Sequence, residues 1–201
     1  MYIGMKDLVA AVVSSYTRGS AITYDTGFSV GPAFAANISF VINDNPDFGD
    51  DVEIANDNGI NGYNGTVDAS DMEQSVMAAL LGWDSSGTTA IEYTGTSDMP
   101  PEVGFGYLRV RQKPHSTTPY YEGWWFKRAQ FSMQNHTANT KKRQIEWGHP
   151  QLGVNGLGSE TDNTGKVRWF ETETFSSYAD ALTWLRTKAN ISTQTQQSST
   201  P

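Results

Sequence analysis

The sequence predicts a mainly β fold (β + α) in which helices are minor partners. Three observations carry this. Apolar residues recur at alternate positions in several separate runs, the period of half-buried strands. Turn-forming clusters punctuate those runs: Asp44-Asn-Pro46, Asn58-Gly59, Asp84-Ser-Ser-Gly87, Met99-Pro-Pro101 and Asp162-Asn-Thr-Gly165. The composition, 37% hydrophobic with 19 glycines, suits many short strands joined by turns better than a helical bundle.

Residues 8–13 are continuously apolar and fit either a buried strand or a short helix. Across 34–42, Phe34, Ile38, Phe40 and Ile42 share one parity, with Asn37, Ser39 and Asn43 on the other, which predicts a strand with one face inward. The spacing of Met72, Val76, Ala79 and Leu80 predicts a helix over 71–81. A capping box of Ser70 and Glu73 would open it and Gly82 would close it. Val103, Phe105 and Tyr107 alternate with glycines and continue into Arg109-Val-Arg111. The aromatic stretch 120–133 reads as a long strand broken near Lys127-Arg128. Ile145 with Trp147, and Val167 with Trp169, show the same alternation. A second, shorter helix is predicted over 178–189, capped by Ser177. Its apolar stripe is Tyr178, Ala181, Leu182 and Leu185, and Arg186 and Lys188 sit at the negative end of its dipole.

The chain has 201 residues, enough for one domain with a substantial core. The expected organisation is a single domain over 1–191 and a flexible, Ser/Thr/Gln-rich tail over 192–201. There is no cysteine, which excludes disulfides, thiol catalysis and cysteine-based zinc sites. No apolar run approaches the roughly 20 residues of a membrane helix. No signal peptide is expected, so the four N-x-S/T sequons (Asn37, Asn64, Asn135, Asn190) read as accidents of composition. Net charge is −8 and unevenly spread. Before Arg109 there are 15 acidic and two basic residues; from Arg109 onward there are 12 basic and seven acidic. This describes either two differently charged surfaces or a head-to-tail polymer in which unlike faces meet. An acidic total argues against tight non-specific binding of nucleic acid.

The sequence carries few signs of catalytic or metal chemistry. His115, His136 and His149 form no ligand pair. No nucleophile elbow, P-loop or dinucleotide loop occurs; the glycines of Gly104-Phe-Gly106 read as packing against bulky neighbours. The densest carboxylate run is Asp44, Asp47, Asp50, Asp51, Glu53 and Asp57, without a basic residue among them. It fits an acidic hairpin and does not match the EF-hand spacing for calcium. Paired carboxylates for glycoside hydrolysis are a further reading of it. The aromatic set around Tyr120, Tyr121, Trp124, Trp125, Phe126 and Trp147 is compatible with a sugar-stacking platform. Adjacent Trp124 and Trp125 must point to opposite faces of a strand, so at least one belongs to a core.

Several segments, in order, resemble the major tail proteins of phages with long, non-contractile tails. They are Asn43-Asp-Asn-Pro-Asp-Phe-Gly-Asp-Asp-Val-Glu53, Tyr63-Asn-Gly-Thr-Val-Asp68, and the helix Met72-Glu-Gln-Ser-Val-Met-Ala-Ala-Leu-Leu-Gly82. Pro100-Pro-Glu-Val-Gly-Phe-Gly106, Tyr121-Glu-Gly-Trp-Trp-Phe-Lys-Arg-Ala-Gln-Phe131 and Thr140-Lys-Lys-Arg-Gln-Ile-Glu146 follow. The resemblance spans about residues 4–187 and rests on order and spacing, since no single motif is specific. The Gly-rich stretch 154–165 departs from it as a longer loop.

The resemblance implies a tail-tube-type β-sandwich flanked by one main α-helix, with a second short helix near the C-terminus. It implies a structural virion protein, not an enzyme, with no cofactor and no metal. Copies would form stacked, hexameric rings around the tape-measure protein. The rings would also meet the tail terminator and the baseplate or distal tail proteins. DNA would pass through the lumen without specific binding and no membrane would be engaged. The place of such a protein is the virion tail, assembled in the host cytoplasm. Asp44, Asp47, Asp50, Asp51, Glu53 and Asp57 are then expected at ring or lumen contacts, and Lys141, Lys142 and Arg143 at a subunit boundary. The alternatives are a β-sandwich carbohydrate-binding module of a phage receptor-binding or surface protein, and a ring-forming terminator or connector.

Overall fold

The computed structural model describes residues 1–49, 52–57, 59–83, 99–134 and 148–192. In chain order the elements are β1 (Tyr2–Ser15), β2 (Thr23–Tyr24), β3 (Phe28–Gly31), β4 (Ala33–Ile42), β5 (Asn45–Gly49), β6 (Val52–Asp57) and β7 (Ile60–Ala69). Then come α1 (Gln74–Leu81), β8 (Glu102–Gln112), β9 (Pro119–Met133), β10 (Gln151–Gly156), β11 (Ser159–Glu160), β12 (Val167–Arg168), β13 (Phe170–Phe175) and α2 (Tyr178–Lys188). The fold is mainly β with two helices among the described residues.

Nine strands form one antiparallel sheet in the order β2-β1-β8-β9-β10-β7-β4, with β3 also on β1 and β13 also on β9. The ambiguous apolar run at 8–13 is the middle of β1, and Leu8 to Ala11 are buried there. The long aromatic strand is not broken at Lys127-Arg128, as the sequence suggested. β9 is continuous, and only its partner changes at that point. Residues up to Phe126 pair with β13 and those from Ala129 with β10, while β8 runs along the other side.

The sheet curls over one core. Phe105 and Phe126 stack at 4.7 Å between ring centroids, and Tyr63 of β7 reaches Phe126 at 4.9 Å. Val67, Phe131, Leu152 and Leu80 complete this inner cluster. On the opposite face of β1, β8 and β9 a second cluster forms from Val9, Ala11, Leu108 and Trp125 with Ala181, Leu185 and Ala189 around α2. β8 and β9 are therefore buried on both faces. Trp125 belongs to the second cluster and Trp124 packs against the first, as adjacent strand positions require. Each fully buried large side chain contributes about 1.5–3 kcal/mol relative to exposure.

The direction of β4 sets the layout of the molecule. Phe34 and Asn37, near its start, lie by Tyr2 and Arg109 of β1 and β8. Phe40, near its end, touches Phe170 of β13 at 5.2 Å. The indole N–H of Trp169 donates to the carbonyl of Ile60, which holds the start of β7 at the same side. β4 thus crosses the facing strands from the β1 side to the β13 side.

Other expectations need correction. Helix α1 starts at Gln74, not near Asp71, and the capping box does not form: Glu73 is the N-cap with no side-chain capping bond, while the Ser70 hydroxyl donates to the Pro32 carbonyl. Gly82 does end it, at φ 71°. In β4 a register irregularity at Ala33/Ala35 turns Phe34 outward to 56% exposure, and Ile42 is 57% exposed; Ile38 and Phe40 keep the inward parity. Residues 45 and 46, read as turn, begin β5. The stretch 154–165, read as a longer loop, is interrupted: β10 runs on to Gly156 and β11 takes up Ser159 and Glu160, leaving 161–165 as the loop. The predicted alternation at Ile145 and Trp147 lies outside the described residues.

Candidate assembly surfaces

The described residues present three distinctive surfaces: the acidic hairpin, the open edge of the sheet, and an arginine-capped end of the core. The acidic stretch is a hairpin. β5 and β6 pair antiparallel, with Asn45 opposite Asp57 and Gly49 opposite Val52. The Asn43 N–H donates to the Gly59 carbonyl at 2.8 Å, so the hairpin continues outward from the β4–β7 ladder. Asp47, Glu53 and Asp57 lie on its strands and Asp44 is exposed at its base. Asp50 and Asp51 lie outside the described residues, as do Lys141, Lys142 and Arg143, so the expected basic subunit boundary has no described geometry.

β4 pairs with β7 on one side and with no other strand among the described residues. Its ten residues contain no charge and no proline. Phe34, Val41 and Ile42 are exposed along it. Natural edges are normally shortened, charged or bulged to prevent pairing with another chain. Apart from its irregular ends, this one carries none of those protections.

The arginine-capped end went unnoticed in the sequence. Arg109 lies over the rings of Trp124, Tyr2 and Tyr107 at 4.7, 4.9 and 5.9 Å. Arg111 lies over Tyr2 and Tyr120, and one of its terminal nitrogens donates to Glu122 at 3.0 Å. Burial raises the Tyr107 hydroxyl above its ordinary range, and Arg109 opposes that shift without cancelling it. The alternation of Arg109 and Arg111 was visible, but only the register of β1 on β8 brings Tyr2 opposite Arg111.

Elsewhere the polar groups serve the fold. Arg128 donates to both carboxylate oxygens of Glu102, at 2.9 and 2.6 Å, and to the Gly158 carbonyl at 2.8 Å. Its guanidinium also stacks on Tyr16 at 3.9 Å. Lys188 of α2 pairs with Glu171 at 2.5 Å. Burial pushes the Glu171 carboxyl up, but Lys188 and Lys127 outweigh it and hold that carboxyl below its usual range. Gly104 and Gly106 lie against Trp125, as the sequence suggested for packing glycines.

For a sugar platform, Trp125 is only 2% exposed and Trp124 stacks on Phe170 at 5.2 Å; Trp147 lies outside the described residues. Among the described residues no group of three His, Asp or Glu is placed to hold a metal ion. No helix among them is long and apolar enough to cross a membrane. No protein-family model matches the chain, and a comparison with curated proteins gave no match.

Proposed function

We propose that this protein is a structural subunit of a phage tail tube. Copies join into hexameric rings that stack around a tape-measure protein, and the acidic tube serves as the conduit for genome ejection. The protein acts in the virion tail after assembly in the host cytoplasm, and it carries out no catalysis. One observation supports this reading above the others: β4 is a ten-residue, uncharged, exposed sheet edge with no partner strand among the described residues. In a monomer such an edge is an aggregation hazard; in a closed ring it is the joint. The projecting acidic hairpin and the net charge of −8 suit an assembling conduit that must not hold DNA. Negative-stain electron microscopy of the purified protein across a range of concentrations tests the proposal. Hollow tubes or stacked rings are expected. Monodisperse particles that never form rings, even with the tape-measure protein supplied, would refute it.

A further inference from the structure

On its outer side the curled sheet is covered by α2 over β1, β8 and the first half of β9, where Val9, Leu108 and Trp125 meet the helix. Farther along the same side, over the second half of β9 and over β10, β7 and β4, the side chains face solvent. Asn37, Ser39, Asn64, Ser132 and Asn155 are all exposed there.

The strand register arranges these residues in two rows. In the first, Asn37 of β4 stands opposite Thr66 of β7, Thr66 opposite Gly153 of β10, and Gly153 opposite Ser132 of β9. In the second, Ser39, Asn64, Asn155 and Gln130 follow one another across the same four strands. Opposed strand residues share a face. Amides and hydroxyls therefore form a grid, with about 4.8 Å between strands and about 6.7 Å between rows. Two of the sequons, Asn37-Ile-Ser39 and Asn64-Gly-Thr66, are parts of this grid, and each asparagine stands opposite the hydroxyl residue of the other. Among the described residues the side chains of Asn37, Ser39, Asn64 and Asn155 make no hydrogen bond within the chain.

The grid carries no lysine or arginine among the described residues. Its carboxylate, Asp68, accepts from the Gln151 amide at 2.9 Å, and at the β8 border Glu102 is neutralised by Arg128. An aromatic ring ends the grid: Phe34, turned outward by the register slip, stacks on His149 just ahead of β10 and stays exposed.

This composition selects a ligand. Nucleic acid requires cations at its phosphates, and a protein partner requires an apolar centre; the face offers neither. Amides and hydroxyls both donate and accept, as every sugar hydroxyl does. An exposed ring suits the apolar C–H side of a pyranose. We propose that the outer face of β4, β7, β10 and β9, ended by Phe34, binds a neutral, hydroxyl-rich polysaccharide. Asn37, Asn64 and Asn155 supply hydrogen bonds and Phe34 supplies the stacking surface. No ion pair is made, so binding is insensitive to salt. The site is complete within one copy and does not depend on the assembly proposed above.

A printed array of neutral and acidic glycans, probed with the labelled protein kept dilute so that single copies are presented, tests this. Retention on at least one neutral glycan is expected, unchanged by about tenfold more salt. Native gels cast with the retained glycan then compare variants. Asn64→Ala and Asn155→Ala together should weaken retardation at least about tenfold, and Phe34→Ala about fivefold. All three side chains are exposed, and circular dichroism with thermal unfolding verifies each fold. Val167→Ala, at an exposed apolar position off the face, should bind as the unmodified protein does. Absence of any neutral-glycan signal, preference for acidic glycans, or retardation unchanged in both the asparagine and the Phe34 variants would overturn the site. None of these results bears on tube formation, which electron microscopy reads separately.

Discussion

At the scale of single residues, Arg128 ties more of the chain together than any local pattern in the sequence suggests. It bonds Glu102 at the start of β8, the Gly158 carbonyl ahead of β11 and, by stacking, Tyr16 after β1. Its own carbonyl accepts the Tyr63 hydroxyl at 2.7 Å. Arg128→Ala should cost about 2–3 kcal/mol in urea unfolding, below the full value for a broken buried pair because Glu102 keeps access to water. The buried tyrosines predict an alkaline limit. Burial pushes the Tyr24 hydroxyl up to about 12 and shifts Tyr63 further in the same direction. A raised acidic group stabilises the fold fully below its unfolded value near 10, and that contribution is lost as pH rises toward the folded value. Unfolding followed by circular dichroism should therefore set in above about pH 10, together with the tyrosinate absorbance. Tyr24→Phe should make the onset less steep.

At the scale of elements, the docking of α2 depends on one position of β8, Gly106, that presents no side chain beneath it. A Cβ added at Gly106 would stand 2.4 Å from the Trp124 carbonyl oxygen and 2.9 Å from the Leu185 methyl carbon. The first of these is backbone and cannot yield cheaply. Gly106→Ala should therefore destabilise by about 1–3 kcal/mol, the cost of an overfilled core, measured by urea unfolding. Much of this level was legible in the sequence. The stripe of α2, the alternation of Val103, Phe105 and Tyr107, and the opposite faces of Trp124 and Trp125 follow from period alone. What escaped depends on partners distant in the chain. β9 looked broken at two basic residues because sequence does not reveal that one strand can serve two neighbours in turn. α1 starts late because Ser70 finds the Pro32 carbonyl instead of its own helix. Phe34 has the right parity and still turns outward, onto His149 at 3.8 Å between ring centroids, because the β4–β7 register slips beside it. The acidic hairpin was legible from its run of carboxylates, although Asn45 and Pro46, read as turn, begin its first strand. The arginine-capped end of the core was not, since its walls come from residues about 30 and 70 positions apart.

At the scale of the whole molecule, the proposed assembly places the balance between monomer and polymer at the margins of the sheet. Val41 is 43% exposed on β4, so a lysine there should leave the monomer folded while placing a charge on the open edge. Val41→Lys is expected to abolish tubes in electron micrographs without changing the thermal midpoint by more than a few degrees. The two extremes of strand environment in this sheet also differ in how their amides meet solvent. β8 has a neighbour on both sides and side chains buried on both faces, so its N–H groups exchange with deuterium only when the whole protein opens. β4 has one neighbour, and its outward amides exchange through local fraying. A deuterium time course thus reads the global stability at β8. At β4, under the proposed assembly, it would time the arrival of a second copy.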